Sequence, residues 1–154
     1  MAVSGIDYSA IEVAIKQAFL NAFPDRLFDD AVQIGDLDTA FDALMSKTIE
    51  EYTDALIIDF SGGTSRPLRA FANIKWAWIT SGVYMIRYHP DIETALRTVV
   101  SKIPTVFQED PRLSGTCDLA YVTEIGDPAI GKLNDVSFYM IPFFIETLDR
   151  SVKL

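Results

Sequence analysis

His89 and Cys117 are the two residues whose types could do nucleophilic chemistry together, since an imidazole can take the proton of a thiol. They are the sole histidine and the sole cysteine of the chain. A thiol turns nucleophilic only where its surroundings lower its pKa, and nothing near Cys117 in sequence supplies that setting or a third, orienting group. His89 precedes Pro90 at a strand-to-helix junction, where helix capping or a surface role is the plainer reading. Metal chemistry fares no better. Zinc would need paired cysteines or histidines, and the acids from Asp25 to Asp42 match no calcium loop. SGGTS at 61–65 has glycines after a strand but lacks the GK[ST] ending of a phosphate loop. Trp76 and Trp78 could stack on bases, yet on a strand of an acidic chain they read as packing residues. The expectation is therefore no enzyme, no catalytic residue, no cofactor and no metal.

The elements that would have to position any site are legible from periodicity. Ile11, Ala14, Ile15, Ala18, Phe19 and Ala22 repeat at helical spacing. Ser9 and Glu12 fit a capping box, Tyr8 and Val13 a hydrophobic staple, and Phe23 and Pro24 end the run. A short extended piece is expected around Ala31 to Ile34. A second helix opens at Asp36, with Leu37, Ala40, Phe41, Leu44 and Met45 on one face, and continues to about Tyr52. ALIIDF, Ala55 to Phe60, reads as a strand. Residues 61–72 then read as a flexible arm carrying Arg66 and Arg69. A long strand follows from Ile74 to Tyr88, with Gly82 marking a bulge.

His89, Pro90 and Asp91 open a third helix whose stripe is Ile92, Ala95, Leu96, Val99, Val100 and Ile103, with Pro104 at its end. A strand of Thr116 to Ile125, the loop GDPAIGKLND and a return strand of Val136 to Leu148 complete the chain. VSFYMIPFFIETL is apolar on both faces: Val136, Phe138, Met140 and Phe144 line one, and Tyr139, Ile141, Phe143 and Ile145 the other. A small antiparallel sheet usually wets one face, so the second must meet a helix or another subunit. Pro142 lacks an N–H and confines the strand to an edge or a bulge. The expected fold is one domain of 1–154, α+β, with a four-stranded mostly antiparallel sheet and flanking helices in the order α-α-β-β-α-β-β.

Composition bounds the function. The 154 residues are 49% apolar and 23% charged, a globular balance long enough to bury a core. A net charge of −9 opposes general nucleic-acid binding, which needs Lys and Arg to displace counterions. From Asp25 to Asp59 stand Asp25, Asp29, Asp30, Asp36, Asp38, Asp42, Glu50, Glu51, Asp54 and Asp59 against Arg26 and Lys47, so this stretch alone carries −8 of the −9. It is either a solvated face or a surface that repels DNA or meets a basic partner, with Asp29, Asp30, Asp36, Asp38 and Asp42 at its centre. No run approaches the roughly 20 apolar residues of a membrane span, and the start lacks the pattern of a signal peptide. A soluble, unprocessed chain in a reducing cytoplasm, with no membrane partner, is expected.

ALIIDFSGG, then WAWITSGVYMIRYHPD running into a helix, then FQEDPRLSGTCDLAYVTEI and SFYMIPFFIETL, resemble the tail terminator proteins of long-tailed bacteriophages. The likeness covers most of the chain, including VQIGDLDTAFDAL, and its chief phrase is the DPRLSG turn. It implies a structural virion protein, assembled in the host cytoplasm, that forms a ring of its own copies, a hexamer, on the head-proximal end of the tail. The ring would cap the tail tube protein, stop its polymerisation and meet a neck or head-completion protein. DNA would pass through without specific binding. In that setting Phe143 and Ile145 are expected at a subunit interface, Arg66 and Arg69 against an acidic partner, and the acidic run toward the DNA passage. Pro142 and the arm at 61–72 are departures from the family pattern. The alternatives are a neck adaptor or tail-completion protein and, from another class, a small ligand-binding domain or hydrolase with a pocket between the third helix and the sheet, built around His89, Asp59 and Cys117.

Overall fold

The structure, a computed structural model, describes residues 8–46, 54–67 and 74–148. Their order is α1 (Tyr8–Ala22), β1 (Val32–Ile34), α2 (Leu37–Ser46), β2 (Ala55–Pro67), β3 (Ile74–Arg87), α3 (Ile92–Lys102), β4 (Leu119–Ile125), β5 (Ala129–Leu133) and β6 (Val136–Leu148). The class is α+β, but the expected four-stranded sheet is corrected to a six-stranded mixed one. Its strands lie in the order β1, β2, β3, β6, β4, with β5 also on β6.

The difference lies on the outside of the sheet. β1, the short extended piece, pairs parallel with β2 through Val32↔Leu56 and Ile34↔Ile58. β5 occupies the stretch expected to be a loop, and pairs β6 from Ala129↔Met140 to Leu133↔Val136. Asn134 and Asp135, both at positive φ, make the tight turn between them. β4 and β5 both lie antiparallel on the side of β6 that β3 leaves free. Together they act as one interrupted strand.

β3 and β6 are the central pair, in unbroken register from Ala77↔Leu148 to Arg87↔Phe138. Pro142 is therefore not on an edge strand. Its carbonyl accepts the Gly126 N–H at 2.8 Å, and the N and O of one strand residue point to the same side, so its missing donor faces the gap between β4 and β5. The bulge half of the expectation is the physical answer: the neighbour, not β6, breaks at this point. Gly82 marks no bulge. It pairs directly with Phe143, whose ring occupies the space a Cβ would need. The bulge of this hairpin sits in β2, between Phe60 and Gly63.

Each sheet face has its own core. Tyr84, Ile141, Phe143 and Ile145 meet α1 and α3 through Ile11, Ile15, Phe19, Ile92, Ala95 and Val99. On the other face Ala55, Met85 and Phe138 meet Ala40, Ala43 and Leu44 of α2, with Phe41 packed edge-on to Phe138 at 5.5 Å. α2 is capped as its acidic start suggests: Asp36 Oδ1 accepts the Thr39 N–H and Oδ2 the Thr39 hydroxyl. The expected continuation of α2 toward Tyr52 lies outside the described residues. At α1 Tyr8 and Ser9 stand inside the helix, not at the flanking positions that the capping box and staple assign them. Tyr8 is already helical and spends its ring on Phe60 and Trp78, while Val13 is 61% exposed. The flexible arm is corrected as well: 61–67 belongs to β2, laddered to β3 as far as Pro67↔Ile74. Residues 68–72 of it lie outside the described residues.

Candidate functional site

The three side chains of the enzyme alternative do not meet. Asp118 N–H bonds to the Leu148 carbonyl and Tyr88 N–H to that of Ser137, which places Cys117 and His89 near opposite ends of β6, a strand span of roughly 36 Å at ~3.3 Å per residue. Asp59 shares the sheet face of Ala55 and Ile57, which α2 covers, and not the face of α3. Cys117 is buried against the Pro111 carbonyl. His89 is buried, and its Nδ1 accepts the Asp91 N–H at 3.2 Å ahead of α3, a bond to the N-cap residue and not to the first turn of the helix. Burial and, after it, the nearby Arg26 charge hold the imidazole pKa below its ordinary value, against the pull of Asp91. Among the described residues no cluster of three His, Cys, Asp or Glu is placed to hold a metal ion.

The polar constellation that does form is Arg26, Asp54 and Tyr84. Arg26 Nε donates to Asp54 Oδ2 at 2.6 Å, and the Tyr84 hydroxyl donates to the same oxygen at 2.6 Å. The Asp54 N–H also reaches the Arg26 carbonyl at 2.9 Å. Asp54 is 2% exposed. Burial pushes its carboxyl up to about 6, although Arg26 and Tyr84 both favour the ionised form. Burial, then the Asp54 charge, pushes the Tyr84 phenol well above its usual range. Two donors already hold the one carboxylate, and the group is sealed from solvent, so the cluster ties the segment after α1 to the start of β2 and the middle of β3. Its signal in the sequence is Arg26, one of two bases in an acidic stretch, but nothing local pairs it with a residue 28 positions away.

No protein-family model and no curated protein matches the chain.

The surfaces expected to meet partners divide unevenly. Phe143 and Ile145 are buried in the chain's own core, and Phe19 stacks on Phe143 at 5.3 Å. They are corrected from interface to core residues: α1 takes that face of β6. The residue left outward is Phe144, on the face of α2 but beyond its reach, 38% exposed; Leu119, exposed too, pairs with Leu148 four residues further along β6, with the buried Glu146 between them. Ile79 and Tyr121, at the register between them, are half-buried. Asp29, Asp30, Asp36, Asp38 and Asp42 are all exposed, on the turn before β1 and on α2 and its approach, with Asp29 bridged to Lys16 at 3.4 Å. Arg66 stands on β2 opposite Lys75, near the far end of the hairpin. Arg69 lies outside the described residues.

At the base of that hairpin end is an aromatic patch that periodicity does not announce. Tyr8, Phe60 and Trp78 form a triangle with ring centroids 4.8, 5.5 and 5.9 Å apart, and Trp76 packs edge-on to Trp78 at 5.6 Å. The Tyr8 hydroxyl is anchored to Thr80 Oγ1 at 2.6 Å. Phe60 is 50% exposed. Glu12 stands one helical turn beyond Tyr8, while Asp59, next to Phe60 in β2, belongs to the opposite face of the sheet. Burial and the Asp59 charge raise the Glu12 carboxyl above its ordinary pKa. No described helix is long and apolar enough to cross a membrane.

Proposed function

We propose that this protein is a structural virion component of the tail terminator kind, whose copies close into a ring that caps the tail tube and joins it to the neck. The observation that carries this reading is the incomplete cover on the second face of the central strands. α2 shields Phe138 and Met140, but Phe144 stays exposed, and so does Leu119 further along the same face, beyond the buried Glu146. An aromatic ring left outward on a paired strand offers a contact to a neighbour. A closed ring needs two different patches on each subunit that fit one another, and the aromatic patch lies on the opposite face, which supplies the second. The acidic surface from Asp29 to Asp42 suits a passage that DNA must traverse without sticking. The β2–β3 hairpin, with Arg66, serves to reach an acidic partner, and Arg69, outside the described residues, is assigned the same task.

Size-exclusion chromatography with light scattering, with and without added tail tube protein, tests the proposal. The wild type should run as several subunits or assemble on the tube end, and Phe144→Ser should lower that assembly while leaving the thermal unfolding of the subunit within a few degrees. A wild-type monomer at all concentrations that leaves tube length unchanged overturns it.

A further inference from the structure

We infer that the exposed face of α3 is the seat of α2 of a second copy of this chain, laid antiparallel, with Asp38 and Asp42 of one subunit against Lys102 and Arg97 of the next. The inference rests on the ring reading and supplies a contact between its subunits.

Charge complementarity names the occupant. Among the bases whose side chains the structure describes, Lys16, Arg26 and Lys132 are bridged to Asp29, Asp54 and Asp135, and Arg87 donates to the Met45 carbonyl. Arg97, Lys102 and Arg112 are exposed and enter no ion pair among the described residues. Arg97 and Lys102 line one shallow concavity with Thr98, Ser101 and Thr105, and no described carboxylate borders it. The Thr98 and Thr105 hydroxyls donate to the Thr94 and Lys102 carbonyls at 2.9 and 2.7 Å, which leaves the guanidinium and the ammonium as the charged donors of the concavity. The acids divide in the same way. Asp36 caps α2, Asp59 accepts the Phe60 N–H, and Asp110 accepts that of Ser114. Asp38 and Asp42 are exposed one turn apart on the outer side of α2, away from Ala40, Ala43 and Leu44, and make no such bond among the described residues. Phe41 and Met45 are half-buried beside them and give the helix an apolar margin to lay against the small side chains of α3.

Geometry fixes the direction. Arg97 and Lys102 are separated by about 7.5 Å along their helix axis, and Asp38 and Asp42 by about 6 Å, a match within the reach of the two long bases. Antiparallel order sets the acidic first turn of α2 on the basic last turn of α3, where both helix dipoles favour the pair. Glu93, the acid of the first turn of α3, then falls beyond Asp42, opposite the uncharged Ser46. α2 covers one face of the sheet and α3 the other, so the contact joins two different patches and propagates from copy to copy, the kind of contact from which rings are built. Asp29, Asp30 and Asp36 lie ahead of α2 and remain for the passage.

Charge reversal in the full chain tests the contact, read by size-exclusion chromatography with light scattering over a concentration series. Asp38→Lys/Asp42→Lys and Arg97→Glu/Lys102→Glu should each raise the concentration needed for assembly about tenfold or more, with thermal unfolding of the subunit within a few degrees of wild type. Mixed in equal amounts, the two variants should assemble near the wild-type concentration, because every contact of an alternating array is again opposite in charge. Asp42→Lys and Arg97→Glu, both in mid-helix, repeat the test where a double variant unfolds. Wild-type assembly should also weaken between ~0.05 M and ~0.5 M salt. Assembly left unchanged by both reversals, or a mixture no better than either variant alone, overturns the inference; the ring reading then stands or falls on the wild type and Phe144→Ser. Reversals that spare self-assembly but stop capture by tail tube protein assign the α3 face to the tube and overturn the second copy as its occupant. A wild type that assembles under no condition removes the ring reading and this contact with it.

Discussion

The ring of Phe143 rests on Gly82: a Cβ built there would lie 2.2 Å from Phe143 Cζ. The two residues face one another across the central β3–β6 pair, and Phe19 closes over the ring from α1. Glycine is required here by space, since its φ is ordinary. Gly82→Ala should destabilise the protein by about 1–3 kcal/mol through overpacking. Phe143→Leu alone should also cost stability, but the double variant should cost less than the sum of the two singles. Urea unfolding of the four proteins measures the coupling. Additive losses would show that the two residues act independently.

Asp54 predicts a pH dependence of stability with a definite sign. Its folded pKa of about 6 lies above the ordinary 3.8, so its contribution is fully present below ~3.8 and is lost as pH rises through 6. Acidifying from pH 7 to pH 5 should therefore stabilise the fold by about 1 kcal/mol through this group. His89, with its lowered pKa, works in the opposite direction over the same range. The difference between wild type and Asp54→Asn isolates the carboxyl: the variant should lack the gain on acidification. Arg26→Met should be more destabilising at pH 7 than Asp54→Asn, because it leaves a buried carboxylate without its cation. Thermal unfolding at several pH values tests both statements.

The turn between β5 and β6 holds two non-glycine residues at positive φ, Asn134 at 49° and Asp135 at 64°. Asparagine tolerates this region and glycine has no steric cost there. Asp135→Gly should stabilise the protein by about 0.5–1 kcal/mol, even though it adds no contact and removes the Lys132–Asp135 pair at 3.8 Å. That pair is too exposed to offset the backbone gain. A lower midpoint in urea for the variant would refute the backbone account.

Residue order alone determined the elements whose apolar pattern is continuous and local. The bounds of β6 follow from VSFYMIPFFIETL, and the buried Ile11, Ile15 and Phe19 of α1 from helical spacing. The start of α2 at Asp36 follows from a cap that reaches three residues. Burial of a whole side-chain stripe leaves such a signature because each residue reads the same neighbour at a fixed period. Tertiary structure decided everything that depends on a partner far along the chain. β5 is exposed along most of its length and is a strand only because β6 offers it a ladder. Pro142 can stand in a central strand only because β4 and β5 part opposite it. Arg26 and Asp54 become a pair only when the sheet brings their segments together, and Phe143 rather than Phe144 is buried because α1 packs on that face. Side-chain alternation told which residues share a face; which face a helix covers is set by the three-dimensional path of the chain between elements, and local periodicity carries no record of it.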